Sequence, residues 1–174
     1  MPDSTQAPCA AHPESVNARL AAYLRANRGA ISAEWMGRVL SDPAVGNETL
    51  TTAELKSSMP ALFESLVSAL CQYGNEDVAQ RSSVDSAKHG AMRWQQGYNF
   101  GELLREIRHL RAVFIYHLAR FEDAHPDFGM VARLFAATTV HAFLDDLLVS
   151  AAEEYVKADK SSAQQESRLP SSAD

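Results

Sequence analysis

Apolar residues recur about every three to four positions along most of the chain, the spacing of a helix that buries one face. No window shows the strict alternation of apolar and polar residues that a half-buried strand requires. Helices are therefore predicted over about Glu14–Asn27, Ile31–Leu40, Thr51–Gly74, Val78–Gly97, Asn99–Asp123 and Phe128–Lys157. Six helices with short connections predict an all-α fold, a single compact helical bundle.

Two of these predicted helices begin with a capping box. In this motif the side chain of the residue before the helix accepts from the backbone N–H three residues later, and the side chain of that later residue accepts from the backbone N–H of the first. Thr51 with Glu54 has this spacing, and so has Asn99 with Glu102. Pro60 lies within the third predicted helix and predicts a kink there, because proline lacks the N–H that a helix interior needs.

The two ends of the chain differ in composition from its middle. Residues 1–12 and 159–174 are small and polar, which is typical of segments that cannot bury enough apolar surface to fold. We therefore expect a disordered tail at 1–12, a domain at 13–158 and a disordered tail or linker at 159–174.

Composition and charge narrow the possible functions. A length of 174 residues fits one domain, and a formal net charge of -6 argues against a nucleic-acid binder, which would carry an excess of Lys and Arg. The N-terminus has no basic and apolar segments of a secretory signal, and no stretch approaches about 18 uninterrupted apolar residues. We expect a cytoplasmic protein that does not enter a membrane.

The spacing of the candidate metal ligands and catalytic groups matches neither a metal site nor a catalytic motif. The chain has two cysteines and six histidines, and His109 and His117 are too far apart on one helix to share an ion. No H-E-x-x-H or E-x-x-H motif occurs, and no nucleophile stands beside a base in a familiar motif. We expect no metal, no cofactor and no enzymatic activity.

The most distinctive segment runs from His89 to Phe100. Helical spacing places His89, Arg93 and Gln96 on one side of the fourth predicted helix, away from its packing face. The candidate ligand-binding residues of this region are His89, Arg93, Gln96, Tyr98, Arg105 and Arg111. They predict a recognition surface for a small anion or an acidic partner segment, since arginine holds carboxylates by charge-assisted hydrogen bonds. The alternative is a plain turn between two capped helices with solvated charges.

The last predicted helix is apolar around most of its circumference. Such a helix is buried by more than one neighbour, and in a small domain a second subunit is a natural neighbour. We therefore expect a homodimer, with Val140, Phe143 and Leu147 as candidate interface residues.

About residues 15–155 of the chain resemble a known family. The chain resembles the N-terminal sensor domain of RsbRD type, found in RsbT co-antagonist proteins and at the head of bacterial sensor histidine kinases. The resemblance lies in Ile31-Ser32-Ala33-Glu34-Trp35, in Leu50 to Leu55, in His89-Gly90, Arg93-Trp94 and Gln96-Gly97-Tyr98, and in Leu103 to Glu106 with Arg111.

The resemblance implies a globin-like, dimeric sensory module that usually lacks haem. It also implies a signalling role, with output through a histidine kinase core, a STAS-type domain or a response regulator. The chain carries no such output domain, so we expect either one domain of a longer protein or a regulator that acts alone. The resemblance does not identify the signal.

Two other functions stay open at this stage. A histidine phosphotransfer bundle would use an exposed His89 or His109 as phospho-acceptor, with Lys88 beside His89 to hold the phosphoryl charge. A haem-based sensor would use His117 and His141, both near apolar helix faces.

Overall fold

The computed structural model of the chain describes residues 16–45, 55, 59–71 and 76–166. Within these ranges the chain forms six helices and no strand, which confirms the all-α single domain. The helices are α1 (Val16–Ala26), α2 (Arg28–Leu40), α3 (Met59–Cys71), α4 (Glu76–Gln95), α5 (Phe100–Ala124) and α6 (Met130–Glu166). The predicted tail at 1–12 and the predicted capping box at Thr51 lie outside the described residues.

The break between α1 and α2 is tighter than the sequence predicted. The second helix begins at Arg28 rather than Ile31, and Asn27 alone forms the turn. The Asn27 side-chain amide donates a hydrogen bond to the Tyr23 carbonyl oxygen at 2.8 Å, so it satisfies an acceptor at the end of α1. No glycine in a left-handed conformation is needed here.

The turn between α4 and α5 follows the predicted local chemistry. Gly97 has a φ of 80°, in the left-handed region that glycine adopts without strain. Asn99 then caps α5: its side chain accepts from the Glu102 N–H at 3.1 Å, and the Glu102 carboxylate accepts from the Asn99 N–H at 2.7 Å. The predicted capping box is confirmed, and it fixes where α5 begins.

The last helix is longer than predicted. It continues to Glu166, nine residues beyond the predicted end at Lys157 and into the segment predicted as a disordered tail or linker. The segment beyond Lys157 contains no proline or glycine before Pro170, and several of its residues favour helix: Ala158, Lys160, Ala163, Gln164 and Gln165. The hydroxyls of Ser161 and Ser162 each donate to the carbonyl four residues earlier, at 2.8 and 3.2 Å.

The core forms around α6, which packs along α4 and α5 and also contacts α3. Its buried residues are Ala136, Val140, Phe143, Leu144, Leu147, Ala151 and Tyr155. Residues Met130–Ser162 are long and apolar enough to cross a membrane by length and composition, contrary to the expectation from uninterrupted apolar runs. The core helix of a soluble protein meets the same criterion, so one such helix is weak evidence for a membrane span; 39% of its apolar window is buried within the domain.

Candidate functional site

A fully buried ion pair lies between α4 and α5. The Arg93 guanidinium donates to both oxygens of the Glu106 carboxylate, from Nε to Oε2 and from Nη2 to Oε1, each at 2.7 Å. Arg93 is 0% exposed and Glu106 is 1% exposed. This paired geometry is the strong form of an arginine–carboxylate contact, and it neutralises two charges that could not be buried singly.

Three other groups in the described part of the chain contact Arg93. Its Nη1 donates to the Gln96 side-chain oxygen at 2.7 Å, and its Nη2 also donates to the Leu55 carbonyl oxygen at 3.1 Å. The Tyr98 ring lies 5.4 Å from the guanidinium carbon, within range of a cation–π contact. We call Arg93, Glu106, His89, Gln96 and Tyr98 the buried charge cluster.

His89 shares this interior. It is 2% exposed, and its Nε2 lies 3.6 Å from the Glu106 Oε1. Burial lowers the pKa of His89 to about 4, against the opposing pull of Glu106 and with a smaller contribution from the Arg93 charge. The imidazole is therefore neutral near pH 7. Burial likewise raises the pKa of the Tyr98 phenol, which stays protonated.

The same segment of α4 brings α6 unusually close. A Cβ atom built on Gly90 would lie 2.3 Å from the carbonyl oxygen of Ala151, so only glycine permits this crossing. One turn further along, the Trp94 ring meets the Tyr155 ring edge-on at 5.0 Å. The Tyr155 hydroxyl donates to the Tyr98 carbonyl oxygen at 2.7 Å. The buried charge cluster is thus joined to the last buried turn of α6.

Four of the six predicted ligand-binding residues are brought together, but in the interior. His89, Arg93 and Tyr98 are buried and Gln96 is half-buried, so the structure places this group inside the domain rather than on a recognition surface. The physical reason is that Glu106 supplies the carboxylate that Arg93 needs. Whether the group binds a ligand stays a prediction.

The other two predicted residues lie elsewhere on α5. Arg105 is 4.0 Å from the Asp42 carboxylate, together with Arg108 at 3.3 Å and His109 at 2.8 Å. These contacts hold the loop after α2 against α5. The His109 hydrogen bond is the main cause that lowers the pKa of Asp42.

Arg111 finds a partner that the sequence did not predict. It forms an ion pair with Asp145 of α6, and its Nη1 lies 3.3 Å from the His141 Nδ1. Two carboxylates of its own helix are engaged otherwise, since Glu106 binds Arg93 and Glu102 caps α5.

The three predicted interface residues are covered by the chain itself. Val140 is 2%, Phe143 4% and Leu147 0% exposed, so none of them offers surface to a second subunit in this conformation. The apolar circumference of α6 is explained instead by its burial against α4, α5 and α3. The large apolar side chains that α6 exposes most are Met130, Val131 and Leu134.

The structure also shows the surroundings of the histidines that a phosphotransfer bundle or a haem-based sensor would use. His89 is buried, and His109 is half-buried against Asp42, so neither ring is presented as an open phospho-acceptor. His117 faces Tyr23 and Glu34, whereas His141 is exposed beside Arg111. Among the described residues, no group of three or more His, Cys, Asp or Glu side chains could hold a metal ion.

Sequence reasoning missed Glu106 and Tyr155 as members of this site. The apolar stripe of α5 includes Leu103, Ile107 and Leu110, and Glu106 lies within it. A carboxylate at a core-facing position requires a buried cation, which could have pointed to Arg93. No local signal identified Tyr155, because its partner is a backbone carbonyl 57 residues away.

Comparison with known families agrees with this geometry. A model of the RsbT co-antagonist protein rsbRD N-terminal domain matches residues 29–169. No curated protein and no solved structure shows significant similarity to the chain. The matched range contains the buried charge cluster, the close crossing at Gly90 and the whole of α6. Since it covers most of the 174 residues, the chain belongs to the RsbRD N-terminal domain family.

Proposed function

We propose that this chain is a non-enzymatic regulatory sensor module of the RsbT pathway, acting in the cytoplasm as a homodimer and without haem or a bound metal ion. The observation that carries the proposal is the family match over residues 29–169. The output partner proposed is a STAS-type co-antagonist, and a histidine kinase core is the alternative recipient.

The route proposed for the signal is α6. Up to Ser162, where the description of side-chain exposure ends, Tyr155 is the last buried residue of α6, and Val156, Lys157 and Lys160 beyond it are exposed. At about 1.5 Å per residue, α6 continues roughly 16 Å past Tyr155. A helix whose middle part is buried in the core and whose end leaves it as a rod can carry a small rotation or shift to a partner.

The pathway assignment is tested in cells of the source organism, with a reporter of the RsbT pathway. Deletion of the gene is expected to change reporter output under stress. Tyr155→Phe, which leaves the Tyr98 carbonyl without its donor at a cost of about 1 kcal/mol, is expected to change output in the same direction. Tyr116→Phe, at an exposed tyrosine, serves as the matched control and is expected to behave as the wild type. Unchanged output in the deletion strain rejects the proposal.

The dimer is proposed to use the exposed start of α6. Met130 is 82%, Val131 83% and Leu134 67% exposed, a contiguous apolar patch of the kind that marks protein interfaces. Light scattering at tens of micromolar is expected to give the mass of two chains. Leu134→Glu is expected to give monomers with unchanged helicity, and Val84→Glu on α4 is the control that stays dimeric. A monomeric wild type contradicts the proposal.

A further inference from the structure

A second histidine is buried where α1, α2 and α5 meet. His117 of α5 is 3% exposed. Its Nδ1 lies 3.4 Å from the Tyr23 hydroxyl of α1, and its Nε2 lies 3.3 Å from the Glu34 Oε2 of α2. Within the described part of the chain, this Nε2 is the buried side-chain nitrogen or oxygen that makes no hydrogen bond.

The protonation state of His117 decides whether this arrangement is favourable. A neutral imidazole carries one N–H and one lone pair. The neutral ring fits its two neighbours when the proton is on Nε2, because that N–H faces the Glu34 carboxylate and the Nδ1 lone pair faces the Tyr23 hydroxyl, which can donate. Protonation of Nδ1 removes this lone pair, so the Tyr23 hydroxyl has to turn from donor to acceptor. An imidazolium has a donor on each nitrogen, but it brings a positive charge into the interior. Adding one proton therefore changes the contact of α5 with both α1 and α2.

The charged and titratable groups around His117 come from all three helices. Glu34 also accepts from Arg38 of its own helix at 2.9 Å, so its charge is shared between two partners. From α5, Arg120 lies near enough to disfavour a second positive charge, and the Tyr116 ring packs edge-on at 5.5 Å. From α1, Tyr23 supplies only a hydroxyl and a ring that also contacts Phe121.

We propose that His117 and Glu34 form a proton-dependent switch, in which protonation of His117 weakens the packing of α1 and α2 against α5. The switch gives the domain a response to acidification. It is a property of three described helices and does not depend on which output protein the domain controls.

The direction of the response follows from the environment of the imidazole. Burial lowers the pKa of His117 below its ordinary value of 6.5, Glu34 pulls it upward and Arg120 lowers it further. The unfolded chain therefore takes up the proton first. The stabilising contribution of neutral His117 is complete above pH 6.5 and is lost as the pH falls from there through the folded pKa.

Glu34 influences the pH at which the switch operates. Its carboxylate is the group that makes the buried imidazolium tolerable, so its removal makes protonation harder. In Glu34→Gln we expect the midpoint of His117 to fall, because the nearby carboxylate favours the charged form of the ring and raises its pKa. Because Glu34 also pairs with Arg38, we expect the change in the His117 midpoint to be smaller than if Glu34 interacted with His117 alone.

The test follows the His117 ring by NMR as a function of pH, with its signal assigned from the His117→Gln spectrum. The expected result is a midpoint below 6.5 in the wild type and a lower one in Glu34→Gln. Glu64→Gln is the matched control, because Glu64 of α3 forms an exposed pair with Arg25 of α1 and should leave the midpoint unchanged. A wild-type midpoint at or above 6.5, or one that Glu34→Gln does not move, overturns the proposal.

Hydrogen exchange then tests the structural consequence. Amides of α1 and α2 are compared between wild type and His117→Gln at the same pH, so that the intrinsic pH dependence of exchange cancels. On acidification the ratio of the two rates should rise, up to about tenfold for each unit by which the pKa is depressed. If His117→Gln does not fold, Tyr23→Phe and Glu34→Gln replace it. Equal exchange of α1 and α2 at every pH overturns the proposal.

Discussion

Replacing Arg93 by alanine is expected to lower the free energy of unfolding by about 3–5 kcal/mol, the usual cost of removing one partner from a buried ion pair. The substitution leaves the Glu106 carboxylate in the interior without the two hydrogen bonds that compensate its burial. It also removes the donors to Gln96 and to the Leu55 carbonyl. Urea unfolding followed by circular dichroism measures the loss, which is a large part of the stability of an ordinary domain.

Two variants separate this cause from a general sensitivity of the region. Arg105→Ala removes a partly exposed arginine from the same pair of helices, and it should change stability by about 0.5 kcal/mol or less. The double variant Arg93→Met with Glu106→Leu removes both charges and retains much of the volume, so most of the lost stability should return. An Arg93→Ala protein as stable as the wild type would instead mean that the pair contributes little and that Arg93 is available for ligands.

Arg93 was predicted on a recognition surface but is buried in the structure. This difference shows what the pattern of a single helix cannot predict. Periodicity on α4 correctly groups His89, Arg93 and Gln96 on one side, and the structure brings them together. Periodicity on one helix cannot say what that side faces. The answer depends on Glu106, 13 residues further along on another helix, and on the crossing of the two helices.

For the same reason, structure that depends on residues close in sequence was predicted better than contacts between distant residues. The capping box of Asn99 and Glu102 depends on residues three apart, and it was predicted correctly. The apolar circumference of α6 was also a correct observation, and in the structure neighbours of the same chain bury Val140, Phe143 and Leu147. Burial by neighbours of the same chain and burial by a second subunit leave an identical pattern along one helix, so Phe143 and Leu147 could not be assigned from it.

Gly90→Ala is expected to destabilise the domain although alanine favours helix by about 0.5–1 kcal/mol over glycine. The new Cβ would meet the backbone of α6, at 2.3 Å from the Ala151 carbonyl oxygen and 2.6 Å from its Cα. Backbone cannot turn aside as a flexible side chain can, so α4 and α6 must separate. Overpacking of a core typically costs about 1–3 kcal/mol, which exceeds the gain in helix propensity.

A helical glycine elsewhere in the chain provides the matched control. Gly37 of α2 has no atom within 4 Å of an added Cβ, so Gly37→Ala carries the same propensity gain without a clash. We expect urea unfolding to show a loss for Gly90→Ala and a gain of about 0.5–1 kcal/mol for Gly37→Ala. Separation at Gly90 should also disturb the nearby contact of Tyr155 with the Tyr98 carbonyl, because both lie where α6 meets α4 and the turn after it. Equal gains in the two variants would mean that the helices part without cost, and α6 would then be a loose element rather than the rigid rod that its proposed role requires.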